Sequence, residues 1–181
     1  MSPLVNFIGF QIGWFGCVLN AAAGRPLTGT AIALLVIAVA LWRTRDRRGE
    51  LVLLSLAAAI GTLCDSLFVM SSRLHYGSGA LQPPLPPLWD IALWPLFAST
   101  LNGALGWLRE RLTLAALLGA VGGPLAYVAA ARLGAVQLGA PSSTLLMLAG
   151  AWSVLTPLLL ALARALSRRM PPSEAASIHH A

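Results

Sequence analysis

The chain has 181 residues, of which 57% are hydrophobic and only 10% are charged, against about 25% charged in a soluble domain. With a mean hydropathy of +0.78, that deficit excludes both a disordered chain and an ordinary cytosolic enzyme, and it places most residues in hydrocarbon. The formal charge of +6 arises from 12 arginines against 6 acids, and because the arginines stand at the ends of apolar stretches they read as membrane orientation, with no nucleic acid partner.

A helix needs about 20 mostly apolar residues to cross a bilayer. Taken in chain order, such stretches run over 4–23, 27–42, 51–70, 88–108, 112–131 and 143–163. They predict an all-α, polytopic transmembrane bundle of six spans, one domain over 1–169, and then a disordered cytoplasmic tail over 170–181. The N-terminus, Met1-Ser2-Pro3, lacks the basic region of a cleaved signal peptide, so the first segment is expected to be retained.

The first span gathers Asn6, Gly9, Gly13, Gly16, Cys17 and Asn20 on one side, about 100° wide at helical spacing. Gln11 falls opposite that stripe, where it faces a second neighbour or lines a cavity, and Trp14 lies deeper than the interface. The second span is short, with Pro26 suited to its first turn. The third carries Ser55, Ala58, Ala59, Thr62, Asp65 and Ser66 as its stripe. The fourth opens on Asp90, read as a local cap favoured at a helix N-terminus, and continues through Trp94, a kinking Pro95, Ser99, Asn102, Gly103 and Gly106. Asn102 should find a partner on a facing helix. The fifth aligns Ala115, Gly119, Gly122, Gly123, Ala126 and Ala130, with Arg132 at its end. Helices in lipid associate through close packing of small residues and some hydrogen bonds. Spans one, three, four and five are therefore expected to form the close-packed centre, with spans two and six peripheral.

Orientation follows from the arginines. Arg43, Arg45, Arg47, Arg48, Arg109, Arg111, Arg164, Arg168 and Arg169 fall in the connections of one side, and only Arg25, Arg73 and Arg132 on the other. The positive-inside bias puts both termini in the cytoplasm. The external connection over 71–87 is flexible at Gly77-Ser78-Gly79 and stiff at Pro83-Pro84-Leu85-Pro86-Pro87. Trp42, Trp89 and Trp107 stand at span ends, as interfacial anchors do.

Asp65 is the most informative residue, since a carboxylate inside a span costs several kcal/mol unless neutralised or paired. It lies about 21 Å from the start of its span by helical rise, at a depth shared by Asn20, and Arg132 is placed to reach down toward both. Two roles stand open for it: a proton- or ligand-binding acid, or a structural acid held by Asn, Ser or Thr. No Walker, HExxH or GxSxG motif is present, and His75, His179 and His180 lie outside the spans, so no metal is expected. Cys17 and Cys64 are too few for a disulfide framework. An aspartyl protease needs two buried acids, and Asp65 alone is expected to be buried.

Asn6-Phe7, Phe10-Gln11, Gly13-Trp14-Phe15 with Cys17, Asp65-Ser66, Leu88-Trp89, Leu93-Trp94, the run from Phe97 to Asn102 and the run from Leu118 to Tyr127 together resemble a family of small bacterial inner-membrane proteins that carry a domain of unknown function. Gly103 departs from the histidine common at that place in the family. The resemblance covers the chain to about residue 163. It implies a six-helix integral membrane protein with no assigned activity, and an association with lipid-modifying enzymes of the cyclopropane-synthase type.

The residues support, first, a non-enzymatic accessory protein without cofactor. It would bind membrane lipid, a protein partner or a second copy of itself through a polar seam of Asn6, Asn20, Asp65 and Asn102, with Gln11, Trp14, Trp94 and Arg132 as further binding candidates. The second reading is a small proton- or solute-coupled transporter in which Asp65 titrates, and the third a membrane enzyme acting on acyl chains.

Overall fold

The computed structural model describes residues 2–168; the expected tail, with Arg169 and His179-His180, lies outside the described residues. Helix α1 (Pro3–Ala22) starts where Ser2 accepts the Val5 amide and Pro3 occupies the first turn. Helix α2 (Pro26–Arg43) likewise begins on its proline, and α3 (Arg47–Met70) on Asp46, whose carboxylate accepts the Gly49 amide at 2.9 Å. Then come β1 (Leu74–Tyr76), α4 (Leu88–Ala98), α5 (Leu112–Arg132), β2 (Val136–Leu138) and α6 (Pro141–Ser167). The architecture is an all-α bundle, and five of its helices, α1, α2, α3, α5 and α6, are long and apolar enough to cross a membrane.

The fourth expected span differs. Its α-helix stops at Ala98, and a 3-10 helix follows at Gly106–Leu108. Pro95 supplies no N–H, and the Ser99 and Thr100 hydroxyls donate back to the Leu96 and Phe97 carbonyls, both at 2.7 Å, competing for acceptors that a continuing helix would use. Beyond that point the amides of Thr100, Leu101, Gly103 and Leu108 bond three residues back, a tighter winding with a longer rise of about 2 Å per residue.

The direction of this segment is fixed by its neighbours. Strands β1 and β2 pair antiparallel, Leu74 with Leu138 and Tyr76 with Val136, so the C-terminal ends of α3 and α5 lie at one end of the bundle. Ser78 Oγ donates to the Ala21 carbonyl at 2.6 Å, bringing the end of α1 there too. Residues 88–111 must therefore return the chain to the opposite, arginine-rich end.

Non-helical backbone at membrane depth is tolerated only where protein satisfies it. Asn6 does so from α1: its Oδ1 accepts the Ala104 amide at 2.9 Å, and its Nδ2 donates to the Ser99 carbonyl at 3.1 Å. Asn102 Nδ2 donates to buried Glu50 on α3 at 2.6 Å, while Arg109 donates to Asn102 Oδ1 and to the Leu101 carbonyl. Asn6→Ala strips two backbone groups of their partners, and each unsatisfied group costs about 1–3 kcal/mol. Thermal unfolding in detergent should register a loss of about 2–6 kcal/mol, and an unchanged midpoint would mean that the break is held otherwise.

Packing revises the expected centre. Helix α4 sits in the middle against α1, α2 and α3, while α1 pairs with α2 and α5 with α6. The stripe of α1 meets α2 and α4: Gly16 faces Ile32, Gly13 faces Leu96, and Gly29 of α2 lies on the Cys17 backbone. The stripe of α5 meets α6, with Gly119 and Gly123 against Trp152. Helices α2 and α6 are the least buried of the five long helices, peripheral as expected, yet each is the hairpin partner that fills a glycine face of its sequence neighbour. The α3 stripe is also offset. Ser55 and Ala59 are exposed, and Leu53, Leu54, Ala57, Gly61, Asp65 and Phe68 are buried, since bulky side chains fill most of the space on that face.

Candidate functional site

Asp65 is 1% exposed and points into the bundle. Its Oδ2 accepts the Trp94 indole N–H from α4 at 2.6 Å, and its Oδ1 accepts the Tyr127 hydroxyl from α5 at 2.6 Å. Asp90, one helical turn before Trp94, is also buried; its carboxyl group faces that of Asp65 and accepts the Tyr76 hydroxyl at 3.0 Å. Four elements therefore place two carboxyl groups side by side among neutral donors. Burial, and then the adjacent Asp90, push the Tyr76 phenol well above the ordinary tyrosine range, so it remains a proton-bearing donor at any physiological pH.

Glycine makes this approach possible. A Cβ on Gly61 would overlap the Trp94 ring, and a Cβ on Gly123 would overlap the Trp152 ring. The two indoles stack between those glycines, with centroids 4.9 Å apart and planes inclined by 13°. Phe97 meets Trp152 edge-on at 5.3 Å, which joins α4 to α6 through a wall of rings.

That wall lines a cleft of about 610 Å³ between the α1–α2 hairpin and the α5–α6 hairpin, with α4 as its floor. Phe10, Trp14, Phe15, Trp94, Phe97 and Trp152 face it; Tyr76 and Val136 of the β-ribbon close one end, and Leu105 and Leu108 lie toward the other. Lining residues Phe15 of α1 and Leu118 and Leu125 of α5 are exposed, so the cleft opens between those two helices. Asp90, Tyr76 and Tyr127 give it polar groups near the ribbon end, and Gln11 lines it farther along, next to Phe10, which meets Phe97. Farther along, Thr156 is 4% exposed with its hydroxyl unpartnered.

The structure divides the expected polar seam. Asp65 and Trp94 come together, and Trp14 and Gln11 line the cleft as a cavity position would. Asn20 instead bonds the Gly16 carbonyl of its own helix at 2.8 Å. Asn6 and Asn102 belong to the cluster at the arginine-rich end, where Asn102 has its facing partner in Glu50. Arg132 is exposed, and the donors that hold Asp65 are an indole and a phenol. Trp89 is buried with its N–H on the Ser78 carbonyl, whereas Trp42 and Trp107 are exposed as anchors would be.

Asp90 is the main correction. It was expected as a cap at the interface, yet the β-ribbon folds over it and removes it from water. The premise that Asp65 is the single buried acid fails with it, although of the two only Asp90 lines the cleft. Tyr76, Tyr127, Glu50 and Trp152 were not singled out by their chemistry. One signal was available for the tyrosines: the chain has only 2, and both donate to this acid pair.

Residues 3–158 match DUF2878, described as a protein of unknown function. No curated protein and no solved structure matches the chain.

Proposed function

We propose that this chain, which belongs to the DUF2878 family of unknown function, is a six-pass protein of a bacterial inner membrane with both termini cytoplasmic, and that it holds the apolar part of a membrane-dissolved amphiphile. One observation carries the reading: a cleft of about 610 Å³, lined by aromatic rings, that opens between α1 and α5, where acyl chains would lie. Binding sites of this kind are concave and mostly apolar, with a few convergent polar groups that orient the ligand. The six-pass topology is supported by the five long apolar helices and by the return of residues 88–111 along the bundle. The cytoplasmic assignment is supported by the arginine bias. A link to lipid modification, as an accessory protein handing such an amphiphile to a partner, belongs to the same proposal.

Gly122 provides the test, because it lines the cleft and a Cβ there would meet nothing within 4 Å. Gly122→Phe should fill the cleft while changing stability by less than about 1 kcal/mol, the scale of glycine's helix propensity deficit. Mass spectrometry of protein purified with native lipid should find a specific amphiphile on the unaltered chain and at least tenfold less on the variant, at equal thermal midpoints. Equal lipid content in both would reject the cleft as a binding site.

A second reading, proton-coupled transport, is favoured by the adjacent Asp65 and Asp90 carboxyls, since a buried acid pair is a place where a proton can be held and released. Vesicles carrying the protein should then show solute flux driven by a pH gradient and lost in Asp65→Asn. Equal flux in protein-free vesicles rejects it.

A further inference from the structure

The cleft reading leaves open which amphiphile fits, and the charges around the site narrow it. Among the described residues, the lining contains no arginine, lysine or histidine, and its one acidic side chain is Asp90. The groups that touch the acid pair are neutral donors: the phenols of Tyr76 and Tyr127 and the indole of Trp94. Two adjacent carboxyls in a low-dielectric site share a proton more readily than they carry two charges, and whatever negative charge the pair holds has no cation beside it among the described residues. An anionic headgroup or fatty-acid carboxylate would add a like charge to that site. A cation would neutralise it.

The rings point the same way. Trp14, Trp89 and Tyr76 line the same cleft as Asp90, and aromatic faces attract organic cations, more strongly when desolvated. Resting on the cleft reading, we infer that the ligand is a lipophilic organic cation, an amine or quaternary onium on an apolar body, whose charge sits against Asp90 among the aromatic rings.

Two rigid ions of nearly the same size and opposite charge, tetraphenylphosphonium and tetraphenylborate, test this on the full chain in nanodiscs of zwitterionic lipid. Equilibrium binding should be saturable at one ion per chain for the phosphonium and at least tenfold weaker for the borate. Asp90→Asn should lower phosphonium affinity at least tenfold, Asp90→Glu should restore most of it, and Gly122→Phe should abolish it. The comparison of the two ions needs no variant and so stands even where Asp90→Asn fails to fold. Equal or tighter borate binding that Gly122→Phe still blocks would overturn the charge assignment and leave the cleft intact. Saturable binding of neither ion, or binding indifferent to Gly122→Phe, would overturn both.

Discussion

Gly61→Leu should leave little folded protein, and what remains should unfold about 10 °C or more below the unaltered chain. Even a single carbon at this position would overlap the Trp94 ring, and the ring has no free space behind it because Trp152 stacks on its other face at 4.9 Å. Overpacking of this kind costs about 1–3 kcal/mol. Displacing the indole also breaks its bond to buried Asp65, which costs about 1–3 kcal/mol for the acceptor left unmade, and disturbs a ring stack worth about 1 kcal/mol. The sum, about 3–7 kcal/mol, is of the order of a whole domain's stability. Fluorescence-detected size exclusion followed by a thermal ramp reads the result. Gly122→Phe is the matched control: a larger addition to a helical glycine, but into open space. If Gly61→Leu behaved like that control, Trp94 would not lie against α3 and the support of Asp65 would need a different account.

The contrast between those two glycines shows how far the sequence could be read. Hydropathy located the five long helices to within a few residues, because burial in hydrocarbon is a property of long stretches and survives local error. The break in the fourth span was not legible to the same degree. Pro95, Ser99, Thr100, Gly103 and Gly106 are each tolerated in a membrane helix; only their concentration within twelve positions, with Asn6 placed to bond the freed backbone, ends α4 at Ala98. Helical spacing likewise put Gly119 and Gly123 on one face, but could not tell which helix would come against that face. Partner choice depends on loop length and on α6 offering Trp152 at the matching height.

The acid pair was half legible. Asp65 stood out because a charge deep in an apolar stretch has few cheap explanations. Asp90 did not, because the same residue at the first turn of a helix is commonplace where water is near. What removes the water is a ribbon of two three-residue strands from connections far apart in the chain. Such short pairings leave no periodic signal, so the environment of Asp90 is a tertiary property that the local sequence does not carry.

Asp65→Leu and Asp65→Asn should separate widely, and the gap reports what the carboxyl does. Leucine has a similar volume and no acceptor, so the Trp94 N–H and the Tyr127 O–H, both now bonded at 2.6 Å, lose their partner in a site closed to water. At about 1–3 kcal/mol for each of the two orphaned groups, Asp65→Leu should cost about 2–6 kcal/mol. Asparagine keeps one carbonyl oxygen for the indole, which can only donate, and its amide can donate to the Tyr127 oxygen, which can also accept. Asp65→Asn should therefore cost about 1 kcal/mol and yield folded protein. With stability nearly preserved, a binding or flux assay on Asp65→Asn isolates the negative charge from its hydrogen bonds. Lost binding in a folded variant assigns the acid a chemical part, whereas unchanged binding and an unchanged thermal midpoint would reduce Asp65 to a clamp that joins α3, α4 and α5. A loss of stability as large as that of leucine would show that the amide cannot turn as supposed, and that the pair with Asp90 requires the carboxyl itself.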